Sequence, residues 1–322
     1  MQPAAVTPRS FWQMSVRLDG VADVIILLAL VGSWLGLLGG WHWALDLFSH
    51  FRWQYLVVSV LALAWTLWRK RRAVAVASAL TFLLNAWLIG RLALDTAPPA
   101  MPGGHALRVV SLNVLTSNNQ TDRVLNFLKE ADADIIFLME VDHKWALALQ
   151  PLAATHPHHL LHDRRDNFGV ALFSRLPLQS LEILSLKGAS MPSLEAHLTH
   201  EGREIVLVGT HPLPPVGLRR DHQLTAVRGH IAGLKKPILL VGDLNATPWS
   251  HGMRLLMADG RLGYRSPQAP CVPTWRTRSI FAIPIDHALC THPLVISRHE
   301  VGPDVGSDHC PLIIEIGWET KA

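Results

Sequence analysis

Three long apolar stretches open the chain, and short alternating ones fill the rest. Residues 21–40 (VADVIILLALVGSWLGLLGG) carry one charge, Asp23, while residues 53–68 and 73–90 carry none. A bilayer-spanning helix needs ~20 mostly apolar residues, with about 17 as the lower limit. The first and third stretches reach that length, and the second does so if it begins near Leu47 or Phe51. The pattern predicts transmembrane helices over about 21–40, 48–68 and 73–92, within an N-terminal membrane region of residues 1–94. Three such helices so close together leave too little polar surface to cover them in a soluble domain. The first is too long for a cleaved signal, and no small-x-small site follows it. Trp34, Trp41, Trp43, Trp53, Trp65, Trp68 and Trp87 lie in or near the ends of these runs, where indole rings suit the headgroup zone.

After a Pro- and Gly-rich linker, residues 95–105, the texture changes. Apolar segments read as strands at 107–114, 134–140, 168–174, 193–200, 203–210, 237–243, 281–290, 293–300 and 311–317. Helical spacing marks 121–131, 141–150, 217–234 and 249–259. β-α-β units mixed with consecutive strands predict an α/β sandwich with mixed sheets over residues 106–318. THPHHLLH, residues 155–162, resembles a metal tract but is poorly spaced and reads as a solvated loop.

Charge adds orientation. Arg69, Lys70, Arg71 and Arg72 separate the second and third spans, against Arg52 alone between the first two. Positive loops stay in the cytoplasm, so the segment near Asp46 and everything after the third span fall on the outer side, periplasmic for a bacterial inner membrane. The net charge of +4 belongs to the membrane part: residues 1–105 hold 8 Lys/Arg and 4 Asp/Glu, residues 106–322 hold 21 of each. A domain living on nucleic-acid backbone contacts usually shows a basic excess, and only a local patch such as Arg219, Arg220 and Arg228 offers one here. Cys271, Cys290 and Cys310 lack zinc-type spacing and leave one disulfide or simple burial open. GxGxxG and GxxxxGK[ST] are both missing, so no nucleotide cofactor is expected.

The chemistry lies where strands stop. LRVVSLNV presents Asn113, DIIFLME presents Glu140, and REIVLVGTH presents His211. PILLVGDLN presents Asp243 and Asn245, which alternation would put on one face. AIPIDH presents Asp286 and His287, and VGSDHCPLIIEI opens with Ser307, Asp308 and His309. A single such end is a turn; six meeting at one end of a sandwich make a cup of carboxylates, amides and imidazoles suited to metal and phosphate chemistry.

SLNV, LMEVD, GTHPLPP, GDLNATP, IDHAL and SDHCPL, in that order, resemble the motif series of the endonuclease/exonuclease/phosphatase superfamily. Its members include pancreatic deoxyribonuclease-like nucleases, neutral sphingomyelinases and inositol-polyphosphate 5-phosphatases. The resemblance implies a four-layer αββα sandwich, here preceded by three transmembrane helices. It implies Mg²⁺-dependent hydrolysis of phosphate esters, with Mn²⁺ as an alternative ion. It makes Glu140 the metal ligand, with Asn113 and Asp308 beside it. His309 becomes the general acid or base and Asp286 its orienter. Asp243 aligns the attacking water, Asn245 donates to a phosphoryl oxygen, and His211 steadies the transition state or the leaving group. His287 and Ser307 are neighbours. Leu115 stands where DNA-repair members carry a second acid. The substrate class stays open between lipid head groups, nucleic acid and soluble phosphate esters, and a non-catalytic binding module is the competing reading. Trp145, Trp249 and Trp275 either touch substrate or pack.

Overall fold

The structure, a computed structural model, describes residues 18–94, 105–186, 191–266 and 271–320. The expected linker lies outside them apart from His105.

Helices α1 (Leu18–Leu35), α3 (Arg52–Trp68) and α4 (Arg72–Leu94) form the N-terminal bundle. Segments Asp19–Leu38, Trp43–Trp68 and Arg72–Leu92 are long and apolar enough to cross a membrane, with mean hydropathies of 2.3, 1.2 and 1.9. The second is not one straight helix. Short α2 (Trp43–Asp46) and a 3₁₀ turn, Leu47–Phe51, precede α3. This segment folds back across the end of α1, where small residues admit it. A Cβ on Gly36 would lie 2.7 Å from the Arg52 guanidinium, and one on Gly39 2.6 Å from the Asp46 carboxylate. Arg52 is thereby buried in the bundle and donates to the Ser33 carbonyl at 2.7 Å. At the opposite end Arg69 pairs with Asp19 at 2.6 Å and Arg71 with Asp23.

The described residues of the remainder form strands β1 (Leu107–Asn113), β2 (Ile135–Met139), β3 (His158–His162), β4 (Val170–Ser174), β5 (Leu178–Leu184), β6 (Ser193–His200), β7 (Arg203–Thr210), β8 (Ile238–Asp243), β9 (Asp286–Cys290), β10 (Leu294–Val301) and β11 (Leu312–Trp318). They form two mixed sheets, ordered β10-β11-β1-β2-β4-β3 and β5-β6-β7-β8-β9. Among the described residues only β1–β2 and β7–β8 pair in parallel. Phe137, Met139, Leu207, Leu239 and Ile314 fill the space between the sheets. Helices α5 (Thr121–Glu130) and α6 (His143–Ala148) cover the outer face of the first sheet, packing Val124, Leu128 and Trp145 against Ile136 and Leu138. Helices α7 (Arg219–Gly233) and α8 (His251–Leu256) cover the second through Leu224, Val227 and Met253. The result is the expected αββα sandwich.

Several expectations change. The histidine-rich tract is not a loop. Leu160 packs into the inter-sheet core and Leu161 on the helix side, so period-2 burial makes 158–162 the edge strand β3. His156 Nε2–H donates to the Ala133 carbonyl at 3.0 Å and His159 stacks on Phe173, so the tract is structural. Strand β5 had no signal, because its exposed positions break the alternation. The strand read at 281–290 begins only at Asp286; Pro284 interrupts it, and Ile283 bridges Trp275 instead. Helix α8 is shorter than its sequence pattern, ending before the left-handed Gly260. Arg220 is buried in ion pairs and Arg228 donates to the Leu255 carbonyl, so neither serves a phosphate-binding patch. All three cysteines are buried and free.

Candidate active site

Alternation carries the polar ends into the gap between the sheets. On β8, Leu239 and Val241 face the inter-sheet core, so Asp243 does too. The same count from Val109 delivers Asn113, from Leu207 delivers His211, and from Cys290 and Ala288 delivers Asp286. Glu140 is out of phase by one residue, following Phe137 and Met139. Its backbone corrects this by turning left-handed at φ 60°, a conformation costing a side-chain-bearing residue roughly 1–3 kcal/mol. Asn245 is likewise left-handed at φ 48°. The strand has ended before it, so the same-face geometry expected with Asp243 is replaced by a turn. Gly242 permits the close approach: at φ 146° a Cβ would sit 2.0 Å from the Thr210 carbonyl oxygen.

These groups are knit together. Asn113 Nδ2 donates to Glu140 Oε1 at 2.9 Å and approaches Asp243 Oδ2 at 3.3 Å. Its Oδ1 accepts the Leu115 N–H at 3.0 Å, which fixes the amide orientation. The Thr116 N–H reaches the other Glu140 oxygen at 3.2 Å. Asp243 Oδ2 also lies 3.4 Å from His211 Nε2 and 3.5 Å from His309 Nε2, so three nitrogens converge on one oxygen. His309 Nδ1 donates to Asp286 Oδ2 at 2.8 Å. The Asn245 side chain gives one Nδ2 hydrogen to the Pro212 carbonyl at 3.0 Å. Ser307 accepts the His309 N–H and donates to the Asn113 carbonyl, joining the first motif to the last.

Electrostatics follow. Burial pushes the Asp243 carboxyl up, but the charge on His309 and the His211 hydrogen bond outweigh it and hold it at about 2. Burial pulls His309 down, yet the Asp286 and Asp243 carboxylates raise it to about 10. His287 behaves oppositely. Burial brings it to about 4, and its Nε2 bonds the Ala246 carbonyl, so it is a strut beneath the site.

Asp243, Asp286 and His309 place ligand atoms within 4.8 Å of one another. Because Asp286 is committed to His309, this trio reads as an oriented histidine facing a carboxylate. The donors that fit a hard cation are elsewhere in the same cleft. Glu140 offers a carboxylate, and Asp308 has an Oδ1 with no hydrogen-bond partner while its Oδ2 accepts the Trp275 indole N–H at 2.9 Å. Oxygen donors of this kind suit Mg²⁺ or Mn²⁺.

Sequence reasoning missed several neighbours. Thr116 steadies Glu140, and Trp275 holds Asp308 and lies 6.4 Å from the His309 ring. Trp145 and Trp249 are buried packing residues. Phe168 stands 5.0 Å from the His211 ring. Leu47, His50 and Phe51, from the N-terminal helical region, line the cleft. No pattern in the sequence signals that role.

A sequence profile of the Endonuclease/Exonuclease/phosphatase family matches residues 110–309, more than half of the chain. The chain belongs to that family. No curated protein sequence matches it. Solved structures share the fold. D. rerio TDP2 complexed with a single-strand DNA product is 17% identical, covering 66% of this chain and 99% of that one, at a TM-score of 0.55. Sphingomyelinase C from Streptomyces griseocarneus is 18% identical, covering 66% and 99%, at 0.51. The human nocturnin catalytic domain with bound sulfate is 20% identical, covering 66% and 94%, at 0.55.

Proposed function

We propose that this family member is a membrane-anchored, divalent-metal-dependent phosphoesterase that hydrolyses phosphate ester bonds. Residues 1–94 act as the anchor, 95–105 as a linker and 106–318 as the catalytic domain. The carrying observation is the Asp286–His309–Asp243 line, 2.8 Å and 3.5 Å, in the cleft that also holds Glu140 and Asp308.

Asp286 fixes the imidazole so that Nε2 faces the cleft, and the charged ring meets negative charge building on a phosphoryl or leaving oxygen. Asp243, ionised at neutral pH, aligns the attacking water and accepts its proton. His211 and the free Nδ2 hydrogen of Asn245 steady phosphoryl oxygens. Glu140 and Asp308 would hold Mg²⁺ or Mn²⁺, with Asn113 orienting Glu140. The bound ion supplies positive charge that polarises the ester.

Sidedness rests on two supports. The catalytic domain packs on the end of the bundle opposite Arg69 and Arg71, and positive loops stay inside. We place the catalytic domain outside the cytoplasm, periplasmic in a bacterial inner membrane. A reporter fused after Gly317 should be active only in an extracytoplasmic format. TDP2 and sphingomyelinase C make nucleic acid and lipid head groups both eligible substrate classes.

The test uses full-length protein in nanodiscs with bis(4-nitrophenyl) phosphate and Mg²⁺ or Mn²⁺. Hydrolysis should stop on chelation and fall by about 10³-fold or more in His309→Ala. Turnover indifferent to both changes would reject the proposal in favour of a non-catalytic binding module.

A further inference from the structure

The cleft, about 560 Å³, has two unlike walls. One carries Glu140, Asp243, Asp308 and His309. The other is apolar and includes Leu47 and Phe51 of the membrane region together with Phe168, Leu213 and Ile283. Among the described residues no Lys or Arg lines it. Phe51 is immediately followed by Arg52, where membrane helix α3 begins. The wall therefore sits at the end of a transmembrane segment.

This wall is built in, not incidental. Asp46 is locked to Arg220 at 2.6 Å, and His50 Nδ1 meets Thr247 Oγ1 at 3.1 Å. Trp53 Nε1 donates to the Cys271 carbonyl at 2.9 Å, and Gln54 Nε2 to the Ile280 and Ala282 carbonyls. Arg220 also donates to the Asn245 carbonyl, so the latch grips the site loop itself. The mouth is apolar as well. Phe281 contacts Phe51 edge-on at 6.3 Å, and Phe281, Ile280 and Val216 are exposed. Exposed apolar side chains beside a bilayer insert into it rather than into water.

We propose that the 3₁₀ segment Leu47–Phe51 is the chain-binding wall of the site, and that the preferred substrate is a lipid phosphate ester entering from the outer membrane surface. This rests on the phosphoesterase reading above and adds the substrate class. The phosphate is held by the polar wall while the apolar part of the substrate leaves along Leu47 and Phe51 toward the bilayer. A nucleic-acid backbone would instead ask for cationic side chains along its track; among the described residues the cleft lining has none, and Arg276 and Arg278 line only the adjoining pocket beyond Asp308.

The experiment is a homologous series of 4-nitrophenyl alkyl phosphodiesters, methyl, butyl and octyl, each below its micellar concentration. Full-length protein in nanodiscs is assayed with Mn²⁺. Wild-type kcat/KM should rise about tenfold or more from methyl to octyl, the effect of burying only about two methylenes. Phe51→Ser and, separately, Leu47→Ser should flatten that ratio toward one. Equal rates along the series in active wild type would overturn the inference and leave the phosphoesterase reading standing. So would faster cleavage of a single-stranded oligonucleotide than of the octyl ester. Failure to hydrolyse any ester would reject both.

Discussion

Asp46, in the short helix after the first apolar helix, forms a 2.6 Å ion pair with Arg220 of the sandwich domain, and the two side chains are 1% and 2% exposed. The pair joins two regions 174 residues apart in the chain. It is asymmetric. Arg220 keeps Asp221 and the Asn245 carbonyl if Asp46 is lost. Asp46 would keep only neutral donors, Ser49 Oγ and the His251 N–H.

That asymmetry sets the first expectation. Breaking a buried pair costs about 3–5 kcal/mol when a charge is stranded. Arg220→Met should approach that range and also lower turnover, since it releases the Asn245 loop. Asp46→Asn should cost less, about 1–3 kcal/mol. Thermal unfolding of the full chain in detergent measures both. Equal effects would mean that the pair does not work as described.

Asp286→Asn should leave the fold intact and reduce kcat by about 10²–10⁴, because the charge holding His309 in place is gone. KM should change little. Combined with His309→Ala, the loss should be no larger than for His309→Ala alone, as expected of residues acting as a unit. Additive losses in the double variant would separate their roles.

Glu140→Gln keeps an acceptor for the Asn113 amide but removes the carboxylate. Stability should stay within about 0.5–1 kcal/mol of wild type, as the neutral hydrogen bonds survive. Mn²⁺ binding, followed by calorimetry, should weaken about tenfold or more, in line with the loss of a charged ligand. Unchanged Mn²⁺ affinity would exclude Glu140 as a ligand.

Away from the site, the Glu195 carboxylate on β6 bonds His197 at 2.7 Å and also His230 of α7. Burial raises this carboxyl, but the hydrogen bonds from His230 and His197 prevail and hold it below its ordinary value of 4.5. A depressed carboxylate contributes stability that is fully present above 4.5 and lost as the pH falls below it. Glu195→Gln should therefore flatten the melting temperature against pH in that acidic window. An unaltered slope would assign the acid sensitivity to other groups.

Much of the site was readable in advance because period-2 alternation is a local property. Asn113, His211 and Asp243 stand where strands end, and Asp286 where one begins, in step with core-facing residues at two-residue spacing, so their side-chain direction was already implied by the strands that carry them. Glu140 was identified by residue type although its phase was wrong. The left-handed turn that returns it to the cleft depends on Thr116 and Asn113, which are distant in sequence. Asn245 shows the reverse case: its alternation pointed one way, and a tight turn sent it another.

The chain alone therefore determined the three apolar helices, the sandwich class and the set of strand-end polar groups, since each follows from spacing within about ten residues. Tertiary structure decided where residues 43–51 go. Hydropathy merges them with the second apolar segment, read from the sequence as starting at about residue 48, because it scores apolar character without direction. Their seat against Arg220, Thr247 and Phe281 depends on long-range complementarity: close approach at Gly36 and Gly39, one buried ion pair, and a loop 197 residues away from His50. No local pattern encodes such contacts, and they bring Leu47 and Phe51 to the carboxylates of the cleft.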